Sequence, residues 1–337
     1  VSKSTPSQKL NDGINEGEAD QLPHVLFIVG PTATGKSDFA VRVIEEAKDF
    51  KPAAEIINCD SVQFFDVLEI GAAKPGPDLL SRAVHHLIGH VQLGGSYTAG
   101  DFRRDALGVI DERGRLGVDR FVAVGGSGFY VQALEKGMYA VPPISVLVKN
   151  ELEIDRINLG EAELYLELGR RDPESALKIK PADSYRIMRA LEILRSTPSG
   201  ETLTQIRARF EKQRPPTPFN VSKIGLRCSR DFLRQRITLR TELMLKAGLI
   251  DEVENLRTQG FKDWAPLASV GYREVQQFLD GAISRVNLND AIITSTMQLA
   301  KRQMTWFKRD PEIHWFSVEE NLDDATLYAK TLIAPAK

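Results

Sequence analysis

The chain has 337 residues, 42% of them hydrophobic and 27% charged, and a net charge of −2. That is a globular composition, long enough for one large domain or two smaller ones, and no apolar run approaches the roughly 18 to 20 residues of a membrane-spanning helix. Cys59 and Cys228 are the only cysteines, too few for a tetrahedral zinc site of their own, and no Cys-x-x-Cys spacing exists.

The polar start from Val1 to Gln21 lacks the apolar core of a secretory signal and carries Glu16, Glu18 and Asp20, whereas organellar transit peptides are poor in acids. A cytoplasmic protein with a disordered tail over 1–22 is expected. Val25 to Val29 then reads as a buried strand, and Phe39, Ala40, Val43, Ile44 and Ala47 recur at helical spacing. Between them, Gly30-Pro31-Thr32-Ala33-Thr34-Gly35-Lys36-Ser37 fits G-x-x-x-x-G-K-[ST]. A strand, a glycine-bearing turn and a helix start make a phosphate cradle. Backbone N–H groups and the helix dipole point at one spot, Lys36 adds a cation, and the Ser37 hydroxyl is suited to ligate a metal ion.

Further strands are expected at Glu55 to Asn58, at Phe121 to Val124 and at Ile224 to Arg227, with helical periods between them. The fold class is therefore α/β: a P-loop NTPase-like parallel sheet flanked by helices. Ligands in such sheets bind beyond the carboxyl ends of the strands, so the loops at 30–37, 60–63 and 125–128 are expected around one crevice. The glycines of the third loop, Gly125-Gly126-Ser127-Gly128, are expected to let the backbone approach a ligand closely, with the Ser127 hydroxyl beside it.

From about Val141 the strand patterns cease, helical segments follow, and Pro198, Pro215, Pro216 and Pro218 interrupt the chain before strand-like sequence returns at Ile224. A mainly helical subdomain inserted over 141–222, between core segments 23–140 and 223–337, accounts for this. Within it Ile187, Met188, Leu191 and Leu194 share one helix face while Arg186 and Arg189 lie on another. Lys178 to Arg240 holds fifteen Lys or Arg against five Asp or Glu, the electrostatic footprint of a face that binds a polyanion such as nucleic acid. A later helix, from about Asn289 to Lys308, places Ile293, Met297, Ala300, Met304 and Phe307 on one stripe and Lys301, Arg302, Lys308 and Arg309 elsewhere.

These residues leave three readings open. The protein is a small-molecule kinase with Asp60 as base or metal ligand; or a transferase whose cradle holds a diphosphate leaving group while Asp60 takes a proton from the acceptor; or a nucleotide-gated nucleic-acid binder. The last would need a hydrolysis switch, yet Phe121 to Val124 runs into Gly-Gly-Ser rather than a metal-binding Asp followed by Glu.

Ten ordered blocks bring in a resemblance: GPTATGKS at 30–37, DSVQ at 60–63, IGAAKP at 70–75, HHLI at 85–88, YTAGDFRRDA at 97–106, GGSGFY at 125–130, DSYRIMRALEI at 183–193, GLIDEVENL at 248–256, SVGYRE at 269–274 and LAKRQMTWF at 299–307. Together they resemble the tRNA dimethylallyltransferases of the bacterial type, the IPP transferase family. That resemblance implies transfer of a dimethylallyl group from dimethylallyl diphosphate to the N6 amine of an adenosine beside the anticodon, tRNA position 37, with release of diphosphate. Adenylate isopentenyltransferases share the first several blocks, and the later blocks with the basic insertion favour tRNA as acceptor. It further implies that Asp60 takes the amine proton, with Ser127 as a second catalytic residue. Gly30, Pro31, Thr32, Ala33, Thr34, Gly35, Lys36 and Ser37 would hold the diphosphate, Mg²⁺ would sit on Ser37, and the adenosine would flip out of the anticodon loop to reach the donor. The segments expected to touch the tRNA anticodon stem-loop are Asp60, Ser61, Val62 and Gln63; Ser127; Tyr185, Arg186, Ile187, Met188 and Arg189; Ala268, Ser269, Val270, Gly271, Tyr272 and Arg273; and Lys301, Arg302, Gln303 and Lys308. The chain departs from the family pattern at Phe65-Asp66-Val67, where the family commonly has Tyr-Arg-Gly, at Gly89, where it commonly has Asp, and at Ala72 and Ser127, where it often has Thr. His85 and His86 are expected to be as suited to structure as to function. A monomer is expected, because clamping one RNA stem needs no partner subunit.

Overall fold

The computed structural model describes residues 22–334, so the tail expected over 1–22 lies outside the described residues except for its last position. Six strands form one parallel sheet: β1 (His24–Val29), β2 (Glu55–Asn58), β3 (His85–His86), β4 (Arg120–Gly125), β5 (Asn220–Arg227) and β6 (His314–Ser317), in the order β3-β2-β4-β1-β5-β6. Successive side chains of a strand point to opposite faces, and β1 is apolar on both because both are covered. Val25, Phe27 and Val29 pack with Phe102, Phe121 and Leu134 on one face. Leu26 and Ile28 pack on the other with Phe39, Val43 and Ile44 of α1 (Lys36–Glu46) and with Ala325 and Ala329 of α14 (Leu322–Leu332).

The four strands expected from sequence all form. The other two are β3, which has only two residues, and β6, whose His314-Trp315-Phe316-Ser317 does not alternate apolar with polar. Strand β5 also begins earlier than its apolar run suggests, pairing Asn220 with His24 and Lys223 with Phe27. Its first residues are polar because Lys223 is buried with partners of its own: Nζ donates to Glu135 (2.6 Å), Asp310 (2.7 Å) and Glu312 (2.8 Å). Burial opposes the charge on Lys223, but these three carboxylates outweigh it and raise its pKa. Lys223→Met leaves three acids facing one another and is expected to cost about 2–4 kcal/mol of stability, since removing one member of a buried ion pair is strongly unfavourable. An unchanged urea midpoint would show that the acids need no counter-ion.

The chain divides into two compact units. One comprises the described residues up to Glu135 and from Thr217 onward; the other is Lys136–Pro216. Residues 217–222, allotted to the insertion by their polarity, therefore belong with the sheet, because Asn220 opens β5. Likewise 136–140 fall in the second unit. That unit contains α5 (Val146–Leu159), α6 (Glu161–Arg171), α7 (Pro173–Lys178), α8 (Ser184–Arg195) and α9 (Leu203–Lys212). It has a core of its own, including Leu152, Leu164, Leu168, Ile187, Leu191 and Ile206. Asp172 joins two of its helices, accepting from the backbone and hydroxyl of both Ser175 and Thr204. No described helix is long and apolar enough to cross a membrane.

Candidate active site

Between β1 and α1 the chain must turn within contact of β5. Gly30 does so at φ +140°, and a Cβ there would lie 2.3 Å from the carbonyl oxygen of Leu226, so no other residue fits. Gly35, also left-handed, starts α1 with no side-chain cap, which leaves the first-turn amides for an anion. Two donors converge on Pro31 O: Thr34 Oγ1 at 2.9 Å and Lys36 Nζ at 2.7 Å. The Thr32 amide donates to Gln303 Oε1 at 2.8 Å. From α10 (Arg230–Lys246), Arg240 donates to Thr32 Oγ1 at 3.4 Å.

The loop after β2 is held just as closely. Asn58 Oδ1 accepts from the Asp60 amide and Asp60 Oδ1 from the Val62 amide, both at 3.0 Å, a turn built by the aspartate on its own backbone. Asp60 Oδ2 has no hydrogen-bond partner among the described residues. Ser127 Oγ accepts from the Ser61 amide at 3.1 Å and donates to Ser61 Oγ at 3.2 Å, and Gln63 Nε2 donates to Ala72 O and Ala73 O.

Over these two loops lies a cavity of about 940 Å³. Lys36, Lys74, Arg236 and Arg240, with Asp38, Asp60, Glu69, Asp78 and Ser37, supply its charged and polar wall, Lys74 being paired with Glu69 at 2.7 Å, while Ile70, Leu79, Leu239, Leu243 and Met244 make an apolar one. Burial pushes Lys36 down to about 8, with Asp60 opposing that shift and Arg240 adding to it. Arg240 is lowered too, by burial first, with Asp60 opposing and Arg236 adding. Two cations held out of water beside the turn, Lys36 and Arg240, are what a multiply charged anion needs there.

Of the residues expected to hold diphosphate, Thr32, Ala33, Gly35, Lys36 and Ser37 line the cavity, while Gly30, Pro31 and Thr34 shape the turn behind them. Asp60 and Gln63 line it; Ser61, Val62 and Ser127 do not. Of the glycines of 125–128, Gly125 lines the cavity as expected, and Gly126 and Gly128 do not. A Cβ on Gly125, Gly126 or Gly128 would meet Cys59 O at 2.4 Å, Gln303 Nε2 at 2.5 Å or Trp306 Cδ1 at 2.2 Å. What they admit at close range is protein: the Cys59 backbone and α13 (Arg285–Phe307).

The expected RNA-facing segments divide by burial. Lys301, Arg302 and Lys308 are exposed, whereas Gln303 is a brace to the cradle. Tyr272, wholly buried, donates to Glu252 at 2.7 Å and accepts from the Ala72 amide at 2.9 Å, so its side chain belongs to the core. Ala268 and Arg273 are exposed, Ser269 and Val270 half-buried, and Gly271 buried. In the second unit Tyr185 is 79% exposed and Arg186 exposed, whereas Ile187 is buried in that unit's core and its side chain is closed to RNA. Met188 packs against the same core, and Arg189 pairs with Glu192 at 2.7 Å. His86 bonds the buried Glu55, which Arg113 also holds, and His85 Nδ1 meets Ala83 O, so both histidines have structural partners.

Lys74, Arg236 and Arg240 had no place among the expected site residues. The arginines belong to the end of the basic stretch, beyond the expected insertion, and their i, i+4 spacing puts both on one face of α10.

For a divalent cation, the cavity offers the Ser37 hydroxyl beside the Asp38 and Asp60 carboxylates. That suits Mg²⁺, which takes one or two protein oxygens and completes its shell with water and phosphate. Among the described residues the acids close enough to form a cage of their own are Glu135, Asp310 and Glu312, and Lys223 already fills that cage.

A parallel sheet with a glycine-bearing turn between β1 and α1, facing a carboxylate at the end of β2, defines a protein of the P-loop NTPase-like α/β fold. The model of the IPP transferase family matches residues 63–310. The chain is 42% identical to a tRNA dimethylallyltransferase of Bdellovibrio bacteriovorus, covering 93% of this chain and 99% of that protein. It is 35% identical to one of Geobacter sulfurreducens, covering 93% and 97%. The solved full-length tRNA isopentenylpyrophosphate transferase of Bacillus halodurans aligns with a TM-score of 0.65 at 29% identity, covering 92% of this chain and 95% of that one. The chain belongs to the IPP transferase family.

Proposed function

We propose that the protein transfers a dimethylallyl group from dimethylallyl diphosphate to the N6 amine of the adenosine beside the anticodon of tRNA, and consumes no ATP. One observation carries this: a single cavity joins a phosphate cradle, an aspartate with one unbonded carboxylate oxygen, and an apolar wall. Lys36, Arg236, Arg240 and the first amides of α1 bind the diphosphate, and Ile70, Leu239, Leu243 and Met244 take the prenyl chain. As the N6–carbon bond forms, the carbon–oxygen bond breaks and its electron pair leaves with the diphosphate. The amine becomes acidic as it attacks, and Asp60 Oδ2 accepts its proton. Mg²⁺ bound at Ser37 would supply further positive charge to the leaving group. Ser127, tied to Ser61, acts as a positioning residue that fixes the loop bearing Asp60.

The exposed Lys301, Arg302, Lys308 and Arg273, with Tyr185 and Arg186 of α8, would meet the RNA. Cations on phosphates position an RNA stem and aromatic rings stack on unpaired bases. We assign the protein to the cytoplasm, as a monomer. The test is to incubate it with Mg²⁺ and labelled dimethylallyl diphosphate and compare bulk tRNA with AMP as acceptor. Label in tRNA with none in AMP is the expected result. Label in AMP alone would make it an adenylate isopentenyltransferase, and phosphate transfer from ATP to a small acceptor with tRNA unmodified would make it a kinase.

A further inference from the structure

Helix α3 (Ala99–Arg115) carries two adjacent arginines in unlike surroundings. Arg104 is exposed and bonded to Asp101 at 2.8 Å and Asp105 at 2.9 Å. Arg103 is half-buried, its Nε atom is shut off from solvent without a hydrogen-bond partner, and no described carboxylate lies within ion-pair distance of it. Burial lowers its pKa and no neighbouring acid offsets the effect. A guanidinium held partly out of water and left unpaired costs stability, a cost that falls when an anion arrives.

The position of Arg103 says which anion. α3 ends at Arg115, just before β4 begins at Arg120, so its first turns lie at the opposite, carboxyl end of the sheet, where the candidate site is. The ring of Phe102, the preceding residue, stacks on Phe64 at 5.5 Å, four residues beyond Asp60. Arg103 nevertheless has no part in the wall of the donor cavity, whose cations are Lys36, Lys74, Arg236 and Arg240. The Thr98–Asp101 capping box takes up the Thr98 and Asp101 amides at the start of α3.

We infer that Arg103 binds a backbone phosphate of the RNA substrate close to the reacting adenosine. This rests on the proposed tRNA acceptor. A planar fork of donors suits a phosphate, and the contact holds the nucleotide in place without reading its base.

The test compares wild type, Arg103→Gln and Arg103→Lys as full chains, measuring the Kd for an anticodon stem-loop RNA over a series of KCl concentrations and, separately, the Kd for dimethylallyl diphosphate. Arg103→Gln is expected to weaken RNA binding about tenfold and to lower the slope of log Kd against log salt by about 0.7 to 1, the signature of one lost phosphate contact. Donor affinity should stay unchanged. Arg103→Lys keeps the charge, so the slope should stay at its wild-type value while affinity falls between the other two. An RNA Kd and slope in Arg103→Gln equal to wild type would overturn the inference. A weakened donor Kd with RNA binding intact would also do so, by giving the arginine to the diphosphate. Equal loss in both variants with an unaltered slope would show a merely structural role. A wild-type protein that binds no stem-loop would instead remove the proposed function itself.

Discussion

Asp60→Ala is expected to lower kcat by about two to four orders of magnitude, the usual contribution of a positioned general base and equivalent to about 3 to 5 kcal/mol of barrier. Asp60→Ala removes the bond from the Val62 amide, but the loop keeps its bond to Asn58 behind it and that from Ser61 to Ser127, neither of which needs the carboxylate. RNA affinity should therefore change by less than about twofold if the stem is held mainly by phosphate contacts elsewhere. Asp60→Asn separates two roles. It keeps the shape and one acceptor oxygen but cannot take a proton, so a loss as large as that of alanine identifies proton transfer, whereas partial activity identifies hydrogen bonding to the amine. Single-turnover transfer of labelled dimethylallyl to an anticodon stem-loop measures both. Wild-type turnover in Asp60→Ala would sink the assignment.

How much of this was legible in sequence follows from the range over which each feature is encoded. The cradle is written in eight consecutive residues between a period-2 and a period-3.6 pattern, and Asp60 ends an apolar strand, so both were readable locally. Arg240 meets Thr32 across 208 positions of sequence, and no local pattern announces that contact. The first residues of β5, Asn220 to Ser222, read as part of the insertion because two of the three are polar, and the buried Lys223 that follows them finds its three acids almost 90 residues away on either side. Burial explains the remaining corrections. Tyr272 and Ile187 fall within segments matched to RNA contact, yet each turns its side chain into a core, and the glycines of 125–128 give room to Cys59, Gln303 and Trp306. Short matched blocks identify a stretch of chain; which side chains of that stretch face outward is decided by packing.

Lys36 carries the second large effect. Lys36→Ala removes the ammonium at the centre of the cradle and is expected to raise the Kd for dimethylallyl diphosphate about 100-fold, near the upper end for a charge-assisted contact. The wild-type protein should also show a pH dependence of known sign. Burial holds the Lys36 pKa near 8 in the free protein, so the group is charged below that pH and loses its proton as pH rises through it. The diphosphate needs the charged form and is itself already ionised there. Donor affinity should thus be flat from pH 6.5 to about 7.5 and about tenfold weaker at pH 9, with proton uptake on binding in the upper range. Lys36→Arg, whose side chain does not titrate in this window, should abolish the inflection. Two neighbours should move it in opposite directions. Asp60→Asn removes the charge that raises the Lys36 pKa and shifts the inflection lower, whereas Arg240→Gln removes a charge that lowers it and shifts the inflection higher. Titration calorimetry in buffers of different ionisation enthalpy reads both affinity and proton uptake, and a Kd constant from pH 7 to 9.5 would show that the Lys36 ammonium does not hold the donor.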